Sequence, residues 1–179
     1  MQNVLVTGAA GFIGSHLVDA LLADGQRVIG ADCFSDYYDR RRKEQNIAQA
    51  LQQTNFRLIE ADLATADLSN LLHGVDLIYH LAGQPGVRGS WGQQFEVYAR
   101  NNILTTQRLL EAALTSGQVP LVYASSSSAY GNLPSMPLSE QMTPAPVSPY
   151  GVTKLAAEHL CRLYSAVHGL PTISLRLFT

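Results

Sequence analysis

The chain has 179 residues, 46% hydrophobic and 15% charged, with a formal net charge of −2. That length suits one globular domain with a substantial core rather than two. The near-neutral balance gives no electrostatic footprint for nucleic acid, and no apolar run approaches the ~20 residues that span a bilayer. Cys33 and Cys161 lie far apart and outside any C-x-x-C pair, which indicates neither a metal site nor a disulfide framework. Met1 runs into an apolar stretch without a basic n-region or cleavage site, so a soluble protein of a reducing, cytoplasmic compartment is expected.

"NVLVTG" opens as a strand, and a helix follows from about Phe12 to Ala23 with Ile13, Leu17, Leu21 and Leu22 on one side. "RVIGAD" is a second strand, and a polar helix is expected near Arg41–Leu51. There Arg40, Arg41, Arg42 and Lys43, surrounded by Asp36, Asp39 and Glu44, read as a solvated helix face. "FRLIEAD" and "VDLIYHLAG" are strand-like. A long helix then covers roughly Glu96–Ser116, with Ile103, Leu109, Leu110 and Ala113 at helical spacing. "VPLVYASSSS" is the fifth strand. Gly131–Pro149 contains Pro134, Pro137, Pro144, Pro146 and Pro149, a long loop of the kind that is usually functional or mobile. Ser148 suits the N-cap of a last helix, Pro149 its first position, and Leu155, Leu160 and Leu163 its apolar stripe. "PTISLRLF" is the final strand. Six strands alternating with helices indicate an α/β fold whose parallel sheet is covered on both faces, and right-handed crossovers make it doubly wound.

"VTGAAGFIGSHL" sets Gly8, Gly11 and Gly14 between the first strand and the first helix, which Phe12 and Ile13 open. The spacing is G-x-x-G-x-x-G rather than G-x-G-x-x-G. Glycine still permits the tight turn and lets backbone N–H groups approach a pyrophosphate at the helix N-terminus. Asp32 ends the second strand, where a carboxylate accepts from adenosine ribose hydroxyls and repels a 2′-phosphate. NAD is therefore expected, with NADP the alternative that the nearby arginines leave open. Asp62-Leu63 and Leu81-Ala82-Gly83 follow the third and fourth strands at the same sheet edge, where adenine and the cofactor phosphates would sit. Taken singly, Asp62 is equally a helix cap and Ala82-Gly83 a close turn.

Tyr150 and Lys154 stand four apart on one helix face, a phenol beside an ammonium. Alone, such a pair is ordinarily surface decoration. Together with "TGAAGFIG", Asp32, "HLAG", Asn102 and "YASSSSAYG", however, the chain resembles the extended short-chain dehydrogenases/reductases of the NAD-dependent sugar epimerase/dehydratase family. The resemblance implies a Rossmann-like domain, with Tyr150 and Lys154 the catalytic pair and Ser126 their hydroxyl partner, four places before Tyr130. It also implies that Asn101 and Asn102 lie near the cofactor. A tyrosine base at neutral pH needs its pKa lowered by about 3 units from ~10, or roughly 4 kcal/mol. The lysine ammonium and a positive nicotinamide ring both act in that direction. Lys154 would also hold the nicotinamide ribose, and Ser126 the reacting oxygen.

Relatives that eliminate water from C6 carry Asp-Glu directly after the catalytic Ser/Thr, and decarboxylases keep the glutamate. Here Ser127 and Ser128 occupy those places. The resemblance thus implies epimerisation at C4 through a transient 4-keto sugar, with NAD regenerated each turnover. "DCFSDYYDRRRKEQNI" and "QPGVRGS" resemble UDP-glucuronate 4-epimerases, although Pro85 and Gly89 depart from their pattern. In that reading Ser127 and Ser128 donate to a C6 carboxylate, Arg88 pairs with the carboxylate or a diphosphate unless it is a plain surface arginine, and Thr179 marks the glucuronate class. Conversion of UDP-glucuronate to UDP-galacturonate is the expected activity. UDP-glucose/galactose 4-epimerisation, decarboxylase or dehydratase chemistry, and a non-catalytic NAD-binding module are the alternatives. Family members continue beyond "LRLFT" with segments that bind the nucleotide. Residues 1–179 therefore read as an NAD-binding domain that ends before the substrate region, able to bind NAD but weak in turnover. The resemblance also implies a homodimer through the two long helices. His16, His73, His80, His159 and His168 show no metal-ligand spacing and read as surface or capping residues, and Trp91 as a packing or loop anchor.

Overall fold

A computed structural model describes residues 1–132 and 137–178 of the chain. Strands β1 (Asn3–Thr7), β2 (Arg27–Asp32), β3 (Phe56–Glu60), β4 (Leu77–His80), β5 (Leu121–Ser126) and β6 (Thr172–Leu177) form one sheet in the order β3-β2-β1-β4-β5-β6. Every pairing is parallel. The doubly wound expectation therefore holds. After β3 the chain crosses back to lay β4 on the other side of β1, and beyond the strand ends at such a reversal a crevice opens.

Both faces are buried at the inner strands β1, β2 and β4, which is why these read as continuous apolar runs. Edge strand β6, in contrast, leaves Ile173, Leu175 and Leu177 exposed. Leu5, Ile78, Leu121 and Tyr123 pack on one face with Leu109, Leu110, Ala113, Ala157, Cys161 and Tyr164. Val4, Val6 and Val28 pack on the other with Ala9 and Val18. Helix α1 (Phe12–Ala23) starts and ends where its sequence pattern predicts, although Ile13 stays exposed rather than joining the core stripe. Helix α2 (Arg40–Ile47) is followed by a separate 3-10 turn at Ala50–Gln52. Helix α3 (Leu68–Leu71) is a single turn whose first N–H groups, at Ser69 and Asn70, donate to the Asp67 carboxylate. It is too short for apolar periodicity to announce.

The expected long helix is α4 (Phe95–Tyr98) and α5 (Thr105–Thr115), joined by π-helical residues Ala99–Leu104. Such wide turns recur at functional sites, and this one carries Asn101 and Asn102. Helix α6 (Pro149–His168) begins as expected: Gly151 N–H donates to Ser148 Oγ at 3.1 Å, and Pro149 takes the first position. Its buried stripe is not the predicted one. Lys154, Ala157, Cys161 and Tyr164 face the sheet, whereas Leu155 and Leu160 are half-buried and Leu163 is exposed. At the start of the helix the approach is close: a Cβ at Gly151 would lie 2.5 Å from the Ser128 carbonyl oxygen. Trp91 is exposed rather than an anchor. Among the described residues no helix is long and apolar enough to cross a membrane, no acidic–histidine–cysteine group could hold a metal ion, and both cysteines are free.

Candidate active site

The turn after β1 is built by exclusion of side chains. Gly8 adopts φ +69°, and a Cβ there would lie 2.8 Å from the Ala82 nitrogen. A Cβ at Gly14 would sit 2.1 Å from the Gly8 carbonyl oxygen, a clash that backbone must relieve. Gly11 N-caps α1 without a side-chain hydrogen bond. The first-turn N–H groups of Phe12 and Ile13 thus stay available at the positive end of the helix dipole.

Asp32 is buried at the end of β2. Its Oδ2 accepts from Ala10 N–H at 3.1 Å, and its Oδ1 from Phe34 N–H at 2.8 Å and from Lys43 Nζ at 3.0 Å. Lys43 is correspondingly buried, which corrects its reading as part of a solvated face; Arg40, Arg41 and Arg42 remain exposed. Arg40 is engaged by Glu44 and Glu60, and Arg41 by Asp39. Asp62 follows β3 and combines both readings. It accepts from Ala64 N–H at 2.9 Å as a turn cap, and pairs with Arg100 at 2.6 Å.

A crevice of about 320 Å³ runs over these strand ends. Gly8, Gly11, Phe12, Ile13, Gly14, Asp32, Asp62, Leu63, Leu81, Ala82, Gly83 and Asn101 line it, together with Lys43, Tyr37 and Tyr38. Asn102 does not reach it. Its Oδ1 accepts from Gln84 N–H at 2.7 Å, and its Nδ2 donates to the Gln84 carbonyl at 3.1 Å and to Thr153 Oγ1 at 3.0 Å. The side chain is fully used in holding the turn after β4. A Cβ at Gly83 would meet Asn102 Oδ1 at 2.9 Å.

The crevice floor ends at Gly83 and Ala124, and Lys154 lies beneath that end. Its Nζ donates to the Ala124 carbonyl at 2.7 Å and sits 4.8 Å from the Tyr123 ring centroid. Tyr150, one turn earlier on α6, is half-buried, with its ring edge-to-face against Tyr98 at 6.3 Å. Of the four consecutive serines, Ser125 turns inward and donates to Glu158, which Arg176 grips at 2.9 and 2.7 Å. Ser126 Oγ accepts from Ser128 N–H at 3.1 Å, at the end of β5. A glycine turn and an acidic β2 end thus line one crevice, and Lys154 reaches its Ala124 end through the backbone carbonyl.

The model of the NAD dependent epimerase/dehydratase family matches residues 4–179. The chain belongs to that family. It is 49% identical over 179 residues to a Bacillus subtilis (strain 168) protein named as an uncharacterized UDP-glucose epimerase, covering 99% of this chain and 56% of the relative. It is 39% identical over 182 residues to UDP-glucuronate 4-epimerase 3 of Arabidopsis thaliana, covering 99% of this chain and 42% of that one. The crystal structure of the Bacillus cereus UDP-glucuronic acid 4-epimerase with UDP-glucuronic acid and NAD superposes with a TM-score of 0.95 at 46% identity, covering 99% of this chain and 56% of that one. The chain spans about half the length of the curated relatives it matches.

In this family member, burial raises the Tyr150 phenol above its ordinary value of 10.0, with Ser126 acting the other way. The expected acidification by Lys154 does not arise from these residues, because the amine is drawn into the Ala124 carbonyl. Burial lowers Lys154 itself to about 8, with Cys161 and Glu158 opposing. Its folded pKa lies below the ordinary 10.5, so above pH 8 the unfolded chain holds more protons at this position and stability rises with pH. Between pH 8 and 9, below the titration of Cys161, which burial moves up to about 11, wild type should gain about 1 kcal/mol over Lys154→Met. Denaturant unfolding at both pH values measures this, and parallel behaviour of the two proteins would contradict it.

Ser127 and Ser128 form a 3-10 turn with Ala129, and Ser128 N–H donates to Ser126 Oγ at 3.1 Å. Arg88 is exposed in a 3-10 turn. Thr179 and Pro134 lie outside the described residues. Two site residues escaped the sequence: Lys43, and His80, which is wholly buried rather than a surface or capping residue. Burial pushes His80 down to about 3, with Lys154 adding to the effect. The signal for Lys43 was its position eleven residues after Asp32 on a helix beginning beside the β2 end. Only packing shows that it turns inward.

Proposed function

We propose that the chain binds NAD in the crevice and belongs to an enzyme that epimerises a UDP-sugar at C4, with UDP-glucuronate and UDP-galacturonate as the substrate pair. The observation that carries this reading is the crevice lined by the Gly8–Gly14 turn and Asp32, with Lys154 Nζ bound to the Ala124 carbonyl at its end. The cradle fits a dinucleotide: glycines stand where any Cβ would clash, leaving backbone free to approach a pyrophosphate. Gly8, Gly11, Phe12, Ile13 and Gly14 would hold the phosphates, Asp32 the adenosine ribose, and Asp62, Leu63 and Leu81–Gly83 the adenine and the remaining phosphate edge. Asn101 would complete that wall. Bound NAD⁺ supplies the hydride acceptor and donor.

Tyr150 takes the proton from the C4 hydroxyl and returns it, Ser126 donates to the same oxygen, and Lys154 holds the nicotinamide ribose and stabilises the phenolate. Ser127 and Ser128 lack a carboxyl for C6 elimination and favour epimerisation. Arg88, exposed in its 3-10 turn, is assigned to the substrate's charge, and Thr179 to its sugar. A homodimer is supported by exposed apolar residues on the two helical segments, Val97, Leu104, Val152, Leu163 and Val167. A cytoplasmic location fits two free cysteines.

Calorimetric titration with NAD and NADP, followed by product analysis with UDP-glucuronate and UDP-glucose, tests the proposal. NAD binding and UDP-galacturonate as the favoured product are expected. No NAD binding would overturn the cofactor reading, and UDP-galactose as the favoured product would overturn the choice of sugar.

A further inference from the structure

We infer that His80 is a positioning residue: as a neutral Nε2–H tautomer it joins the turn after β4, at the crevice floor, to the helix turn that carries Tyr150. This rests on the crevice being a cofactor site, and the directions of the hydrogen bonds supply the rest. Thr106 Oγ1 lies 2.7 Å from the Asn102 carbonyl, one helical turn back. A carbonyl accepts only, so the single hydroxyl proton of Thr106 is spent there. Thr106 must then accept from His80 Nε2, 3.0 Å away, and that nitrogen carries the proton.

The other ring nitrogen, Nδ1, is therefore bare and accepts from Thr7 Oγ1 at 2.8 Å. Thr7 Oγ1 in turn accepts from the Ala82 N–H at 3.1 Å. Beyond Asn102 the polarity continues. Asn102 Nδ2 donates to Thr153 Oγ1 at 3.0 Å, and Thr153 Oγ1 donates to the Tyr150 carbonyl at 2.8 Å. Each hydroxyl in the chain accepts once and donates once, so no link reverses without orphaning a buried group. Tyr123, whose ring centroid lies 5.7 Å from that of His80, and Lys154 are the titratable groups packed around it. Neither supplies an acceptor for a second ring proton, so the neutral ring is the form the site can satisfy.

The device explains why a fully buried histidine ends β4. An apolar residue would fill the space but leave Thr7 without an acceptor and Thr106 without a donor. The Ala82 amide at the crevice floor would then rest on a Thr7 hydroxyl that nothing orients.

Long-range ¹⁵N NMR of the histidine-labelled chain, with His80 assigned through loss of its signals in His80→Asn, reads the tautomer directly. Protonated Nε2 and bare Nδ1 at neutral pH are expected, with or without NAD. An Nδ1–H tautomer or a charged ring would overturn the inference. Thr7→Val removes both the Nδ1 link and the acceptor for the Ala82 N–H. It should speed amide exchange at Ala82 and weaken NAD binding about tenfold, and Thr7→Ser should restore both. Wild-type exchange and affinity in Thr7→Val would also overturn it. A wild-type chain that never binds NAD would sink the cofactor reading itself, and Ala82 exchange would then decide the coupling alone.

Discussion

Tyr150→Phe is expected to slow the single-turnover reduction of NAD by UDP-glucuronate by about 10²–10⁴-fold, the range for losing a positioned acid–base group. NAD affinity should be nearly unchanged. The separation follows from geometry. The Tyr150 ring is half-buried and packs edge-to-face on Tyr98 at 6.3 Å, and phenylalanine keeps that packing. What leaves is the hydroxyl, which on the proposed reading would meet the sugar and not the adenosine half of the cofactor. Stopped-flow absorbance of reduced NAD gives the rate, and calorimetry the affinity. A variant as fast as wild type would remove Tyr150 from the mechanism. A variant that loses NAD binding would assign it a cofactor-holding role instead. The phenol needs help to ionise, since burial raises its pKa here. A useful phenolate would depend on positive charge brought to its face.

Asp32→Asn is expected to destabilise the fold by about 3–5 kcal/mol, the cost of leaving a buried charge without its partner. Lys43 Nζ lies 3.0 Å from Asp32 Oδ1, with side-chain exposures of 7% and 4%. The amide that replaces the carboxylate keeps the size but not the charge, and turns a donor toward Ala10 N–H or Phe34 N–H. Lys43→Met in the same chain should recover part of the loss, because the pair is then neutral on both sides, and the cycle of single and double variants isolates the coupling. Denaturant unfolding measures it. Additive effects of the two substitutions would show that the pair is not coupled in solution. The consequence for function is direct: the carboxylate proposed for the ribose is held rigid by three donors before any ligand arrives.

Local spacing explains how much of this was readable. The inner strand runs are continuous because both faces are covered there, Gly8 and Gly14 must stand in the turn after β1 because a Cβ at either would clash with backbone, and Ser148-Pro149 open α6 because those residues satisfy a helix start. The i, i+4 relation of Tyr150 and Lys154 needs only the helix pitch. Each of these depends on neighbours within a turn or a strand, and a linear pattern records such neighbours.

Burial direction depends on what arrives from elsewhere in the chain. Lys43 sits in a run of four cations that a pattern assigns to water, yet Asp32 and the rings of Phe34 and Tyr38 draw it inward. Leu155 and Leu163 look like core, yet Lys154, Ala157, Cys161 and Tyr164 take the face that meets the sheet. Asn102 resembles a cofactor ligand until Gln84 and Thr153 occupy its amide. His80 carries no spacing signal at all, because its partners Thr7 and Thr106 are 73 and 26 residues away. The order of the elements and the chemistry of the turns are local, and so were legible. Which polar groups are buried, and which partner each finds, is set by contacts between distant segments once the sheet has closed.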